Sequence, residues 1–243
     1  MRTRRLYWED PYLKEFKSKV VSVEQGGDRL LIVLEDTAFY PESGGQACDR
    51  GFLRGRGFSA QVSYVREEGE TIVHEAENWN GSLKVGDEVD GVLDWDRRYR
   101  LMKMHTAAHL LSAVVRKFKG NDVKVVSAHK DYDLSRIDFN VKISSEELPQ
   151  MEREANRLIS GGAEVKVFFM SRDEAREYVA RYGEDLKMLP VDVNVVRVVE
   201  ISGLHAVACG GTHVRNLREL GRVKLIKRQS KGKGITRILY TIE

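Results

Sequence analysis

Between residues 20 and 93 the chain alternates short β-branched runs with polar breaks. The runs VVSVE (20–24), RLLIVLED (29–36), FSAQVSYV (58–65), ETIVHEAE (70–77) and DEVDGVLDW (87–95) are parted by turns such as Gly26-Gly27-Asp28 and Asn80-Gly81. Short strands with turn signals at this spacing predict a small barrel or sandwich. The period changes at Asp94. From there to Gly120, Leu101, Met104, Ala108, Leu111, Val115 and Phe118 recur at helical spacing, predicting one long helix capped by Asp94 or Asp96. Beyond it the pattern predicts strands over 123–126 and 137–143 and a helix over 146–159. A strand over 164–170, a serine-capped helix over 171–183, a strand over 193–201 and closing strands over 222–230 and 235–243 follow. The fold class read from this pattern is α+β. A β-barrel domain occupies 1–93 and an α+β domain 94–243.

Composition changes this picture only a little. With 42% hydrophobic and 32% charged residues the chain fits a soluble globular protein. No apolar run approaches the ~20 residues of a membrane span, and no apolar stretch follows the basic start to suggest a secretory signal. Two cysteines, Cys48 and Cys209, make no disulfide framework, which points to a reducing, cytoplasmic setting.

The formal net charge of +3 is small, but it is unevenly spread. Arg215, Arg218, Arg222, Lys224, Lys227, Arg228, Lys231, Lys233 and Arg237 stand against a single acid, Glu219, in the last stretch of the chain. Such a tract is either a solvated face or a footprint for phosphates. Lys227, Arg228, Lys231 and Lys233 are its candidates for nucleic-acid contact.

Candidate chemistry comes from two pairs. In HTAAH, His105 and His109 stand four apart, so both project from one helix face about 6 Å apart. In CGGTH, Cys209 and His213 are also four apart, with Gly210 and Gly211 allowing a tight turn. Together they form a His3Cys set whose nitrogen and thiolate donors suit Zn2+ better than Mg2+ or Ca2+. The alternatives are partly buried helix histidines and a simple turn. Three of the six histidines and one of the two cysteines falling into i,i+4 pairs favours the metal. No carboxylate separates the helix histidines, so this is not the H-E-x-x-H arrangement of zinc proteases.

HTAAHLLSAVV (105–115) followed by CGGTHV (209–214) closely resembles the editing domain of alanyl-tRNA synthetases and its free-standing relatives, the AlaX family. The likeness extends to TAFYPESGGQACDRG (37–51), DWDRRYRLMKMHT (94–106), SRIDFNV (135–141) and GITRI (234–238). The resemblance spans nearly the whole chain, leaves no room for an aminoacylation domain and is similar to the medium-length type. It implies hydrolysis, in trans, of tRNA(Ala) mischarged with serine or glycine. It also implies one Zn2+ per chain on His105, His109, Cys209 and His213, and a glycine motif, YPESGGQ (40–46), whose Gly44 and Gly45 lie near the aminoacyl end of the substrate. The alternative is a structural-zinc module that binds tRNA without chemistry.

A pocket that admits serine cannot exclude the smaller alanine by size, so a polar partner must sense the hydroxyl. Thr106 is one residue from His105 and points roughly 100° away from that face. Ser127 is the better match to a hydroxyl-bearing residue that the family uses to sense serine.

Overall fold

The structure, a computed structural model, describes residues 2–243. Six antiparallel strands close a barrel in the order β1-β2-β5-β4-β3-β6. They are β1 (Glu15–Gly26), β2 (Arg29–Leu34), β3 (Gly51–Gly55), β4 (Phe58–Glu68), β5 (Thr71–Asn80) and β6 (Glu88–Leu93). Inward-facing Ile32, Leu34, Leu53, Val62 and Ile72 fill its interior, and alternate positions face out, the period-2 consequence of the pleat. Five of the six strands match the hydrophobic runs. The sixth, β3, has the sequence GFLRG and carries no β-branched residue. Gly51 is needed there because a Cβ would lie 2.1 Å from the Val92 carbonyl of the neighbouring strand. The close approach that fixes the strand also removes the side chain that would have announced it.

The long helix, α1 (Trp95–Lys119), begins where the sequence changes texture. Asp94 caps it, its carboxylate accepting from the Arg97 amide at 3.1 Å. The helix is buried on more than one stripe, since Met102, Ala107, Leu110 and Val114 are as enclosed as Leu101, Met104 and Leu111. Phe118, the last of the residues at helical spacing, is 37% exposed in the final turn.

Two compact units are distinguished, the first ending at Leu101 and the second running from Met102 to Glu243. The first therefore takes in the opening turns of α1 as well as residues up to 93. Arg98 explains this. Its fully buried guanidinium pairs with Asp49 and donates to the Pro11 carbonyl at 2.9 Å and to the Ala38 carbonyl.

The second unit holds two antiparallel sheets. One has the order β12-β13-β8-β7, built from β7 (Val125–His129), β8 (Ser135–Phe139), β12 (Val223–Ser230) and β13 (Thr236–Ile242). The other, β9-β10-β11, joins β9 (Val165–Ser171), β10 (Val195–Ile201) and β11 (His205–Ala208). Two further helices complete the unit. α2 (Leu148–Gly161) buries Met151, Ala155 and Ile159 along one stripe. α3 (Arg172–Ala180) starts at a capping box of Ser171 and Glu174, the serine cap the sequence predicts. The strands expected over 123–126 and 137–143 are shifted to β7 and β8, and β11 is a strand the pattern did not suggest.

Candidate metal centre

His105 and His109 project from neighbouring turns of α1, with ring centroids 5.1 Å apart. β10 and β11 form a ladder whose end delivers the CGGTH turn to them. Arg197 on β10 secures that turn, its Nη1 donating to the carbonyls of Cys209 at 2.7 Å and Gly211 at 3.0 Å. The His213 ring consequently sits 4.5 Å from that of His105 and 4.6 Å from that of His109. One donor atom from each of His105, His109, Cys209 and His213 lies within 4.8 Å of all the others.

These spacings fit a metal. Cys209 Sγ is 3.6 Å from His105 Nε2 and 3.4 Å from His213 Nε2. A tetrahedral ion with Zn–N of about 2.05 Å and Zn–S of about 2.3 Å requires a nitrogen–sulfur edge of about 3.6 Å. His109 Nδ1 is buried without a hydrogen-bond partner, a cost that protein interiors rarely carry unless an ion or water answers it. The Gly211 amide donates to Cys209 Sγ at 3.3 Å, which orients the sulfur toward the histidines.

Protonation states agree. Burial pushes His109 down to about 3, with Lys130 and Arg197 adding to the effect. His105 and His213 are held well below the ordinary imidazole range, first by burial and then by neighbouring positive groups. Neutral imidazoles present the lone pairs that a metal takes.

The surroundings fix one tautomer. Thr106 Oγ1 donates to the Met102 carbonyl at 2.9 Å and accepts from the Val214 amide at 3.3 Å. With its single proton committed, it can only accept from His213 Nδ1, 3.1 Å away. Nδ1 therefore carries the hydrogen, and Nε2 faces Cys209 with a free lone pair. On the other side, the His205 ring lies 5.4 Å from that of His109. Its Nδ1 accepts from Arg116 Nη1 at 3.2 Å, and Arg116 is in turn paired with Glu184.

Comparison with known proteins decides the family. Residues 11–97 match the class II (A) tRNA synthetases, and residues 196–239 match the threonyl and alanyl tRNA synthetase second additional domain. The alanyl-tRNA editing protein AlaX-M of Methanosarcina barkeri is 41% identical over 99% of both chains. This chain belongs to the AlaX-M alanyl-tRNA editing proteins. AlaX-M of Saccharolobus solfataricus is 38% identical over 99% of both chains. The alanine–tRNA ligase of Pyrobaculum aerophilum is 40% identical over 99% of this chain, which spans 27% of that enzyme.

The remaining expected residues of this AlaX-M chain are dispersed. Ser43-Gly44-Gly45-Gln46 is a tight turn closed by Ser43–Gln46 backbone bonds, with φ of 55° at Gly44 and 72° at Gly45. Both values lie in the left-handed region that glycine tolerates best.

Ser127 pairs with Asp138 across β7 and β8, and its hydroxyl accepts from Arg136 at 3.3 Å. The other face of that sheet carries Ile137 and Tyr240, and the Tyr240 hydroxyl donates to the Met104 carbonyl of α1 at 2.8 Å. Strand alternation thus turns Ser127 away from the helix that bears the histidines. Lys130, just past β7, is the residue that the sequence did not single out. It is 4% exposed, electrostatically coupled to His105, His109, His213 and Cys209, and pushed down by burial to about 8.

The basic tract is more neutralised than its composition implies. Lys224 pairs with Glu243, Arg222 with Glu152 and Arg237 with Asp138, two of these acids coming from distant sequence. Lys227 and Arg228 lie on β12, and Lys231 and Lys233 in the turn before β13. No helix among the described residues is long and apolar enough to cross a membrane.

Proposed function

We propose that the protein hydrolyses the ester of tRNA(Ala) mischarged with serine or glycine, with one Zn2+ held by His105, His109, Cys209 and His213. The observation that carries this reading is the convergence of three imidazole nitrogens and one cysteine sulfur to within 4.8 Å of one another, in a chain whose full-length relatives are named for alanyl-tRNA editing.

A zinc ion held there supplies positive charge and an electrophilic docking point for the carbonyl, amino or hydroxyl groups of the aminoacyl end. The water oxygen attacks the ester carbonyl carbon, the bond to the ribose oxygen breaks, and that oxygen takes the proton. No carboxylate joins the four donors among the described residues. The aminoacyl ester is already activated, so positioning and charge stabilisation carry the step. The buried Lys130 ammonium adds positive potential beside the donors. Gly44 and Gly45 are assigned to the aminoacyl end by family likeness, their backbone amides serving as donors.

The second reading is a structural-zinc module that binds tRNA without chemistry. The donor set favours it in one respect: four protein ligands complete a tetrahedron, whereas catalytic zinc keeps a position open. Deacylation of Ser-, Gly- and Ala-charged tRNA(Ala), with and without chelator, separates the two. Release of serine or glycine that stops on chelation supports editing. Tight tRNA binding without release of either amino acid, by protein containing one zinc per chain, establishes the module. Gly44→Ala/Gly45→Ala should lower deacylation while zinc content holds, and a melting curve must accompany it because both φ values strain alanine.

A further inference from the structure

Beyond the metal centre, the second unit has a cleft of about 490 Å³ lined by Lys142, Ser144, Arg228, Ser230, Lys233 and Thr236, among others. Three cations line it and no carboxylate does. Among the described residues none of the three forms an ion pair, in contrast to Arg222, Lys224 and Arg237 nearby. Arg228 is steered into place by Ser145, whose hydroxyl accepts from its Nε at 3.3 Å. Thr236 is 2% exposed and takes the Ile143 amide at 3.1 Å, which ties the 142–144 segment to the start of β13.

Lys233 is held in an unusual way. Gly232, Lys233 and Gly234 all have positive φ, at 77°, 48° and 79°. Glycine accepts this freely, while a lysine pays about 1–2 kcal/mol to stand there. The turn is closed by Lys231 N to Ile235 O at 3.0 Å and Ile235 N to Gly232 O at 2.8 Å. Backbone strain retained at a charged side chain that lines a cleft is the pattern of a binding position.

We propose that this cleft is a phosphodiester-binding site that grips the tRNA backbone with Lys142, Arg228 and Lys233. The proposal rests on the tRNA reading above and divides the basic tract. Arg228 and Lys233 line the cleft, whereas Lys227 and Lys231 do not, and Lys142 enters from a distant part of the sequence. The serine and threonine hydroxyls and the exposed glycine backbone supply hydrogen-bond donors to phosphate oxygens, the mixture by which proteins fix a nucleic-acid backbone without reading its sequence.

The test measures binding of uncharged tRNA(Ala) transcript to the full-length metal-loaded protein across a salt series. The variants are Lys142→Ala, Arg228→Ala and Lys233→Asn, singly and together. Asparagine tolerates the left-handed conformation, so only the ammonium is lost, and melting curves confirm the fold. Each single change should lower the slope of log K against log salt by roughly 0.7–0.9, and the triple change by roughly 2–3. The Lys227→Ala/Lys231→Ala pair should change it less. A triple variant with the wild-type slope, or one matched by that pair, overturns the proposal. A slope unchanged in the triple variant while inorganic phosphate raises the Tm of the wild type alone would make this a small-anion site and also overturn it. Cleft-dependent binding by protein that releases neither serine nor glycine from the tRNA would leave the cleft standing and remove the editing reading.

Discussion

Thr106 and His213 are 107 residues apart in sequence, yet the threonine hydroxyl accepts the Nδ1 hydrogen of the histidine at 3.1 Å. The same oxygen caps the Val214 amide and closes back onto its own helix at Met102. One side chain thus fixes the tautomer of a candidate ligand and fastens the CGGTH turn to the helix.

Thr106→Val keeps the shape and removes the acceptor. The buried His213 N–H then loses its partner, and metal affinity should fall roughly 10- to 100-fold. Thr106→Ser should restore most of it. Competition with a chromogenic chelator measures both, and a valine variant with wild-type affinity would show that His213 is oriented by something else.

Asp49 and Arg98 are both fully buried. Arg98 Nε donates to the two carboxylate oxygens at 3.1 and 2.9 Å, and the Tyr40 amide donates to Asp49 at 2.6 Å. The pair therefore ties the entry to the YPESGGQ segment to the first turn of α1. Asp49→Ala strands a buried guanidinium and should cost about 3–5 kcal/mol in denaturant unfolding. Asp49→Leu/Arg98→Met removes both charges and should recover part of that loss. A double variant no more stable than the singles would mean that hydrogen bonding to Tyr40, Pro11 and Ala38 matters more than the charge balance.

What the sequence revealed and what it concealed divide along local and non-local lines. His105, His109, Cys209 and His213 stand out because each pair is four residues apart, a spacing that helix and turn geometry convert directly into proximity. Thr106 is inconspicuous in the sequence because, one residue on, it points away from the face of His105. The fold brings the outer nitrogen of His213 to that other side, and no spacing in one dimension reports it. Lys130 gives no signal as a lone lysine past a strand, and its importance comes only from burial. β3 is hidden because Gly51 has no side chain where Val92 approaches. Ser127 depends on which face of its sheet meets α1, a tertiary contact made through Tyr240 and Met104 that the alternation along one strand does not report.

The position of Ser127 leads to its own expectation. Its hydroxyl is engaged by Arg136 on the sheet face opposite α1. Ser127→Ala should therefore change hydrolysis of Ser-tRNA(Ala) and Gly-tRNA(Ala) by the same factor, close to one. A selective loss on the serine substrate, read from single-turnover rates, would return Ser127 to the sensing role its family likeness suggests.

His74 is a buried histidine with no ligand role, and it predicts how acid acts on the barrel. Its Nδ1–H donates to the Ile32 carbonyl at 3.0 Å, so Nε2 must accept from the Thr37 hydroxyl at 2.8 Å. The ring is neutral because burial pushes it from 6.5 down to about 4. In the unfolded chain the same ring protonates near 6.5, so as pH falls below that value the unfolded state binds the extra proton first. His74 thus leaves stability untouched above about 6.5 and erodes it by up to about 1.4 kcal/mol per pH unit toward 4, a total of about 3 kcal/mol. Below 4 the folded ring protonates as well and the loss levels off. His74→Gln removes this proton linkage, whatever it does to stability at neutral pH. Unfolding free energies of both proteins, measured in chelator from pH 7 to 4, should therefore converge by about 3 kcal/mol as the solution is acidified. A difference that stays constant with pH would mean that the ring protonates equally easily in the folded and unfolded states.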